Sequence, residues 1–116
     1  MAIDNIPTSA RRTFTSQVLY KRGTPLVQTL AGAVVLTKYS SQHLKLDPGG
    51  ASRDVTLPPY EDGLWFEIYN AADAAENLVV KDAAGTVATL NQNEYAKFWS
   101  DGVDWTYGGI LTIAQT

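Results

Sequence analysis

The feature that most limits what this chain can fold into is an alternation of apolar and polar side chains, broken by turn residues about every ten positions. At its centre Leu44 and Leu46 alternate with His43, Lys45 and Asp47. Pro48-Gly49-Gly50-Ala51-Ser52 interrupts, and Val55 and Leu57 resume beside Arg53, Asp54 and Thr56. Pro48 fixes its own φ and has no amide donor, while Gly49 and Gly50 tolerate positive φ, so this segment predicts a β-hairpin. Pro58-Pro59 ends the second strand. After a turn at 60–63, Leu64, Phe66 and Ile68 point one way and Trp65, Glu67 and Tyr69 the other. Three strands in succession predict a meander and hence an antiparallel body.

The same alternation runs on toward the C-terminus. Leu78 to Asp82, the turn Ala83-Ala84-Gly85 and Thr86 to Leu90 predict a second hairpin. A third joins Tyr95, Lys97 and Trp99 to Val103, Trp105 and Tyr107 through Asp101-Gly102, because Asp-Gly flanked by alternating apolar residues is a strong hairpin signal. Gly108-Gly109 breaks the pattern before Ile110 to Ala114, read as an edge or intersubunit strand. Ala71 to Glu76 suits one helical turn capped by Asp73. Upstream, Leu26 to Leu36 favours extended structure through Val27, Thr29, Val34 and Val35. The expected fold is all-β: an antiparallel sandwich, jelly roll or small barrel, with an extended N-terminal arm over residues 1–30 and one β domain over 31–116.

Composition bounds the function. With 116 residues, 45% of them hydrophobic and 18% charged, the chain can bury the core of one domain. It has no cysteine, which removes disulfides and thiolate metal sites, and the fold must hold by packing and oligomerisation. The N-terminus lacks the apolar stretch of a signal peptide, and no apolar run approaches the ~18 to 20 residues of a membrane span. Synthesis in the cytoplasm, with no membrane partner, is therefore expected. The net charge of -3 hides an asymmetry. Residues 1–30 hold four bases, Arg11, Arg12, Lys21 and Arg22, against Asp4; the rest holds five bases against eleven acids. Four bases spread over a dozen positions make a thin patch for a phosphate tracker, so a nucleic-acid partner is not expected, and docking of the arm on an acidic protein surface fits better.

The search for chemistry yields little. A triad or a zinc site draws on several His or Cys residues, and the chain has only His43, read as a surface residue of a strand. Asp101 and Asp104, or Glu61-Asp62-Gly63, offer oxygen atoms to calcium without the ligand count or spacing of an EF-hand. No pair of carboxylates is singled out for acid–base work, and Pro48-Gly49-Gly50 does not open a helix as a phosphate loop would. The expectation is a protein that is not an enzyme and has no catalytic residue, cofactor or metal. Trp65, Tyr69, Tyr95, Trp99, Trp105 and Tyr107 fall on predicted strands, and a sheet that is apolar on both faces has to cover both. Trp65, Trp99, Trp105, Ile110 and Ile113 are accordingly the expected subunit interface, with exposed rings for sugar stacking as the rival reading.

The run from Leu46 to Pro58, the run Phe66 to Asp82 and the element Asp101-Gly102-Val103-Asp104-Trp105 resemble a β-module of tailed-bacteriophage structural proteins, notably head decoration proteins and some fibre or spike components. The resemblance covers roughly residues 36–107. It implies a small β-rich homotrimer on the exterior of the virion, where it clamps neighbouring major capsid subunits against the pressure of packaged DNA. It carries over no individual site residue. The short chain and basic arm fit a decoration protein better than a fibre, whose carbohydrate- or receptor-binding head is the alternative. On this reading Arg11, Arg12, Val18, Tyr20 and Arg22 form the capsid-binding arm, with Val18 and Tyr20 on a segment that adds to a partner's sheet edge.

Overall fold

The computed structural model describes residues 23–113, and these are all-β: β1 (Leu26–Thr29), β2 (Val34–Val35), β3 (His43–Asp47), β4 (Arg53–Thr56), β5 (Trp65–Asn70), β6 (Leu78–Asp82), β7 (Gly85–Leu90), β8 (Glu94–Ser100) and β9 (Trp105–Thr112). Consecutive strands β1 to β6 alternate between two sheets. One has the order β1-β3-β5-β8-β9, the other β2-β4-β6-β7. The pairs β1–β3, β3–β5, β2–β4 and β4–β6 are parallel, so the chain winds around a shared core, each turn giving one strand to either sheet. The pairs β6–β7, β5–β8 and β8–β9 are antiparallel.

This winding corrects the expected antiparallel meander. β3 and β4 do not pair, and Pro48-Gly49-Gly50 carries the chain from one sheet to the other instead of reversing it. Parallel neighbours need a crossover between them, and here a strand of the opposite sheet serves in place of the usual helix. The hydrogen-bond ladder continues through the corners. Leu30 N–H donates to Asp47 O (2.7 Å), Leu36 N–H to Thr56 O (2.8 Å), Leu57 N–H to Lys81 O (2.7 Å) and Ala71 N–H to Leu46 O (2.8 Å). Gly49 is required at one such corner. Its φ is +75°, and a Cβ there would strike the Leu30 carbonyl oxygen of the preceding turn.

Alternation places the core. Leu44, Leu46, Phe66, Ile68, Ala96 and Phe98 face inward from the larger sheet, and Val55, Leu78, Val80, Ala88 and Leu90 from the smaller one. Leu30, Leu36, Leu57 and Leu64 fill the corners between them. Two further expectations are corrected. Residues 71–77 form no helical turn; this corner is held by the buried Asn70, whose amide donates to Glu76 O (2.8 Å) and Leu90 O (2.9 Å) while its Oδ1 accepts from Ala72 N–H (2.9 Å). Leu26–Thr29, assigned to the arm, is instead a strand of the larger sheet. The second and third hairpins appear as β6–β7 and β8–β9, and β9 runs on through Gly108-Gly109 with an irregular register as an edge strand.

Candidate functional site

The outer face of the five-stranded sheet carries the densest array of functional side chains. Since Leu44, Phe66, Ile68, Ala96 and Phe98 point inward, strand parity sends His43, Lys45, Trp65, Glu67, Tyr69, Tyr95, Lys97 and Trp99 outward. Register then sets the rows: His43, Glu67 and Lys97 across β3, β5 and β8; Trp65 beside Trp99; Tyr69 beside Tyr95.

Glu67 is the hub of this face. His43 Nδ1 lies 2.8 Å from Glu67 Oε1, and the Tyr95 hydroxyl donates to the same carboxylate. Burial pushes the Glu67 carboxyl up, but hydrogen bonds from Tyr95 and His43, with the charges of His43 and Lys97, outweigh it and hold the group below its ordinary range. The Tyr95 hydroxyl responds in the opposite sense. Partial burial, then its hydrogen bond to a carboxylate and the negative charge there, push it up to about 12. Trp65 is fixed from two sides. The His43 ring meets it edge-on at 5.5 Å, and Lys97 Nζ sits 4.5 Å from its ring centroid as a cation–π partner.

At the Trp65–Trp99 end of this face lies a cleft of about 480 Å³, lined by Asp62, Gly63, Trp65, Lys97, Trp99 and Asp101. Two reversals build its rim. Gly63 N–H donates to Ser100 O (3.1 Å) and Ser100 N–H to Leu64 O (2.9 Å), which ties the turn before β5 to the end of β8. Asp101 Oδ1 accepts from Val103 N–H and Asp104 N–H, both at 2.9 Å, and these backbone bonds hold its carboxyl below the usual range. Trp99 is 43% exposed, so one large ring in the cleft faces solvent. Rings, fixed carboxylates and one ammonium give a surface suited to binding an amphipathic group. The ionised, fully partnered Glu67 is poorly placed to exchange protons near neutral pH.

The expected interface residues separate into three groups. Trp65 and Trp99 sit together on the outer face. Trp105 does not belong with them and is a correction: it is 7% exposed, packs on Phe66 at 6.0 Å and donates through Nε1 to Pro58 O (2.9 Å), so it is part of the chain's own core. Ile110 and Ile113 lie exposed on and just beyond the second half of β9, with Leu111 between them 58% exposed. Arg11, Arg12, Val18, Tyr20 and Arg22 lie outside the described residues. Sequence reasoning missed Glu67 as a hub, since that role arises only from cross-strand register, and also Asp62 as a rim residue, since the turn that carries it is brought to the end of β8 only by the fold. Among the described residues, the carboxylates of Asp47, Asp73 and Glu76 also converge, with one ligand oxygen of each within 4.8 Å of the others. No helix among those residues is long and apolar enough to cross a membrane.

Comparison with known proteins gives no relative to set beside this geometry: no family model, no curated protein and no solved structure matches the chain.

Proposed function

We propose that the chain is a non-catalytic structural protein of a tailed bacteriophage, a homotrimer on the capsid exterior that bridges neighbouring major capsid subunits. The observation that carries the self-association is the apolar edge made by β9. Among the described residues it is the last strand of its sheet, and Tyr107, Ile110, Leu111 and Ile113 are exposed along it or directly after it. An open edge with apolar side chains invites pairing with another chain, and a second copy is the partner always present. Covering such half-exposed aliphatic groups contributes about 1 kcal/mol each, so a closed ring of three edges gains several. The capsid as the place of action and the threefold state rest on the resemblance of residues 36–107 to phage decoration proteins, while a sandwich, jelly roll or small barrel as the finer architecture rests on the spacing of strands and turns in the sequence.

Sedimentation at micromolar concentration is expected to give three times the 12.6 kDa chain mass, and Leu111→Lys to lower it. A monomer throughout that range would remove this reading. The rival, a carbohydrate- or receptor-binding head of a fibre or spike, is favoured by one observation, the solvent-facing Trp99 beside Asp62 and Asp101.

A further inference from the structure

We infer that the cleft between Trp65 and Trp99 is a saccharide-binding site that takes one neutral pyranose ring of a surface polysaccharide, stacked on Trp99 and held at its rim by Asp62, Asp101 and Lys97. The inference goes beyond capsid bridging and does not depend on it; it rests on the observation that favours the rival carbohydrate-binding reading, the exposed Trp99 beside Asp62 and Asp101, and deepens that reading. Trp65 and Trp99 are direct cross-strand partners, so their Cβ atoms lie about 5 Å apart and their rings share one floor. They differ in what covers them. Trp65 is held by the His43 ring and by Lys97, whereas Trp99 has no ring or cation partner among the described residues. The pair therefore offers one immobilised wall and one open platform.

The chemistry of the lining selects the occupant. A cationic peptide side chain stacked on Trp99 would meet the like charge of Lys97, which lines the same cleft with its Nζ 4.5 Å from the neighbouring Trp65 centroid. A nucleobase stacks equally well on tryptophan, yet it brings phosphates to a rim that carries Asp62 and Asp101, on a body with five bases and eleven acids. A purely apolar ligand would desolvate those carboxylates and give nothing back. A pyranose meets each requirement: its C–H face covers the indole, its hydroxyls donate to Asp62 and Asp101, and a ring or hydroxyl oxygen accepts from Lys97. At about 480 Å³ the cleft falls in the ~300–1,000 Å³ range of small-ligand sites. Its rim is preorganised, because Asp101 is anchored by two backbone N–H groups and Asp62 packs against Gly102, where an added Cβ would come within 3.4 Å of the Asp62 Cβ.

The test is the full-length protein on a printed array of bacterial surface polysaccharides, followed by tryptophan-fluorescence titration with the free oligosaccharide of the strongest spot. Trp99→Ala, at a ring that is 43% exposed, is expected to bind at least tenfold more weakly, and Asp101→Asn several-fold. Leu111→Lys, at the other end of the sheet face, is expected to leave binding unchanged. The proposal is overturned if no spot retains the wild type above the Trp99→Ala background. It is equally overturned if Trp99→Ala abolishes self-association, since the face is then a protein interface. Retained capsid occupancy by Trp99→Ala separates a failure here from a failure of the capsid reading.

Discussion

Replacing Asn70 tests the winding at its most constrained corner. The side chain is fully buried and spends its amide and carbonyl on three backbone groups: Glu76 O, Leu90 O and Ala72 N–H. Asn70→Ala leaves all three without that partner. Glu76 is half-exposed and its carbonyl can recruit water, but Leu90 and Ala72 are buried. Orphaning a buried polar backbone group costs about 1–3 kcal/mol, so the loss should be about 3–5 kcal/mol. Against a total stability of about 5–15 kcal/mol this is severe, and at roughly 4–8 °C per kcal/mol for a domain of this size the melting point should fall by at least ~12 °C. Asn70→Asp sharpens the test. One oxygen can still accept from Ala72, but the other now faces the carbonyls of Glu76 and Leu90, which raises the pKa of the new acid in the folded state. A raised folded-state pKa means stability that is present at low pH and lost as pH rises through it. Asn70→Asp should therefore be closer to wild type at pH 4 than at pH 8 in thermal melts. An Asn70→Ala deficit below about 1 kcal/mol, or an Asn70→Asp deficit independent of pH, would refute the assignment of this corner to Asn70.

Gly49→Ala should lower stability by about 2–4 kcal/mol in chemical denaturation, because alanine is strained at φ +75° and its methyl meets the Leu30 carbonyl. Ultraviolet titration should find Tyr95 ionising near 12, and Glu67→Gln should bring it back toward 10, since the carboxylate is one of the groups holding it up. A raised folded-state pKa puts Tyr95's contribution to stability below pH 10, to be lost as pH climbs to about 12; the lowered Glu67 acts oppositely, and its contribution fades as pH falls below 4.5 through its folded-state value. Removal of residues 1–22, which stops short of β1, should leave the melting point nearly unchanged but weaken attachment to undecorated capsids severely. The attachment lost should be salt-sensitive, because exposed charges are screened over ~8 Å at physiological ionic strength. Equal occupancy by full-length and truncated protein would assign attachment to the folded body.

The two C-terminal hairpins and the inward set Leu64, Phe66 and Ile68 were legible because their signals are local: a turn dipeptide and a period of two. The pairing of β3 was not. Pro48-Gly49-Gly50 has the same chemistry whether a chain doubles back within a sheet or crosses to a facing one, and the choice is made by partners distant in sequence, Leu26–Thr29 on one side and Glu67–Asn70 on the other. Parallel strands usually betray themselves as unbroken apolar runs buried on both faces. Here each parallel strand keeps one wet face, so Leu44-Lys45-Leu46 carries the alternation normally associated with antiparallel pairs. Trp105 was misplaced for a related reason. Alternation says that Trp105 and Tyr107 share a side but not which side, and the Nε1 bond to Pro58 is decided by the corner after β4. The binding cleft was half legible: Trp65 and Trp99 stood out as rings opposite the core parity, but their adjacency is a matter of β5–β8 register.

A winding of this kind has two ends, and they differ in a way that bears on attachment. Turns stacked on one another bury only what lies between neighbours, so the terminal turns need covering. At one end the antiparallel strands β7, β8 and β9 close the stack, leaving the apolar edge of β9 for self-association in the reading proposed here. At the other, the first turn among the described residues consists of β1, exposed at all four residues, and the two-residue β2 with Val35 exposed. Leu26 and Val27 are exposed there too, and the basic residues of the N-terminal segment directly precede them. A strand added by a partner along β1, an edge strand among the described residues, would cover Val27, and the basic residues Arg11, Arg12 and Arg22, which precede β1 in sequence, suit acidic groups on that partner. Self-association at β9 and attachment at β1 then draw on opposite edges of the five-stranded sheet. It follows that Val27→Lys should impair capsid attachment while leaving the sedimenting mass unchanged, and Leu111→Lys should lower the mass before it touches the affinity of each chain; a Val27→Lys protein that dissociates into monomers would show that the two ends are not independent.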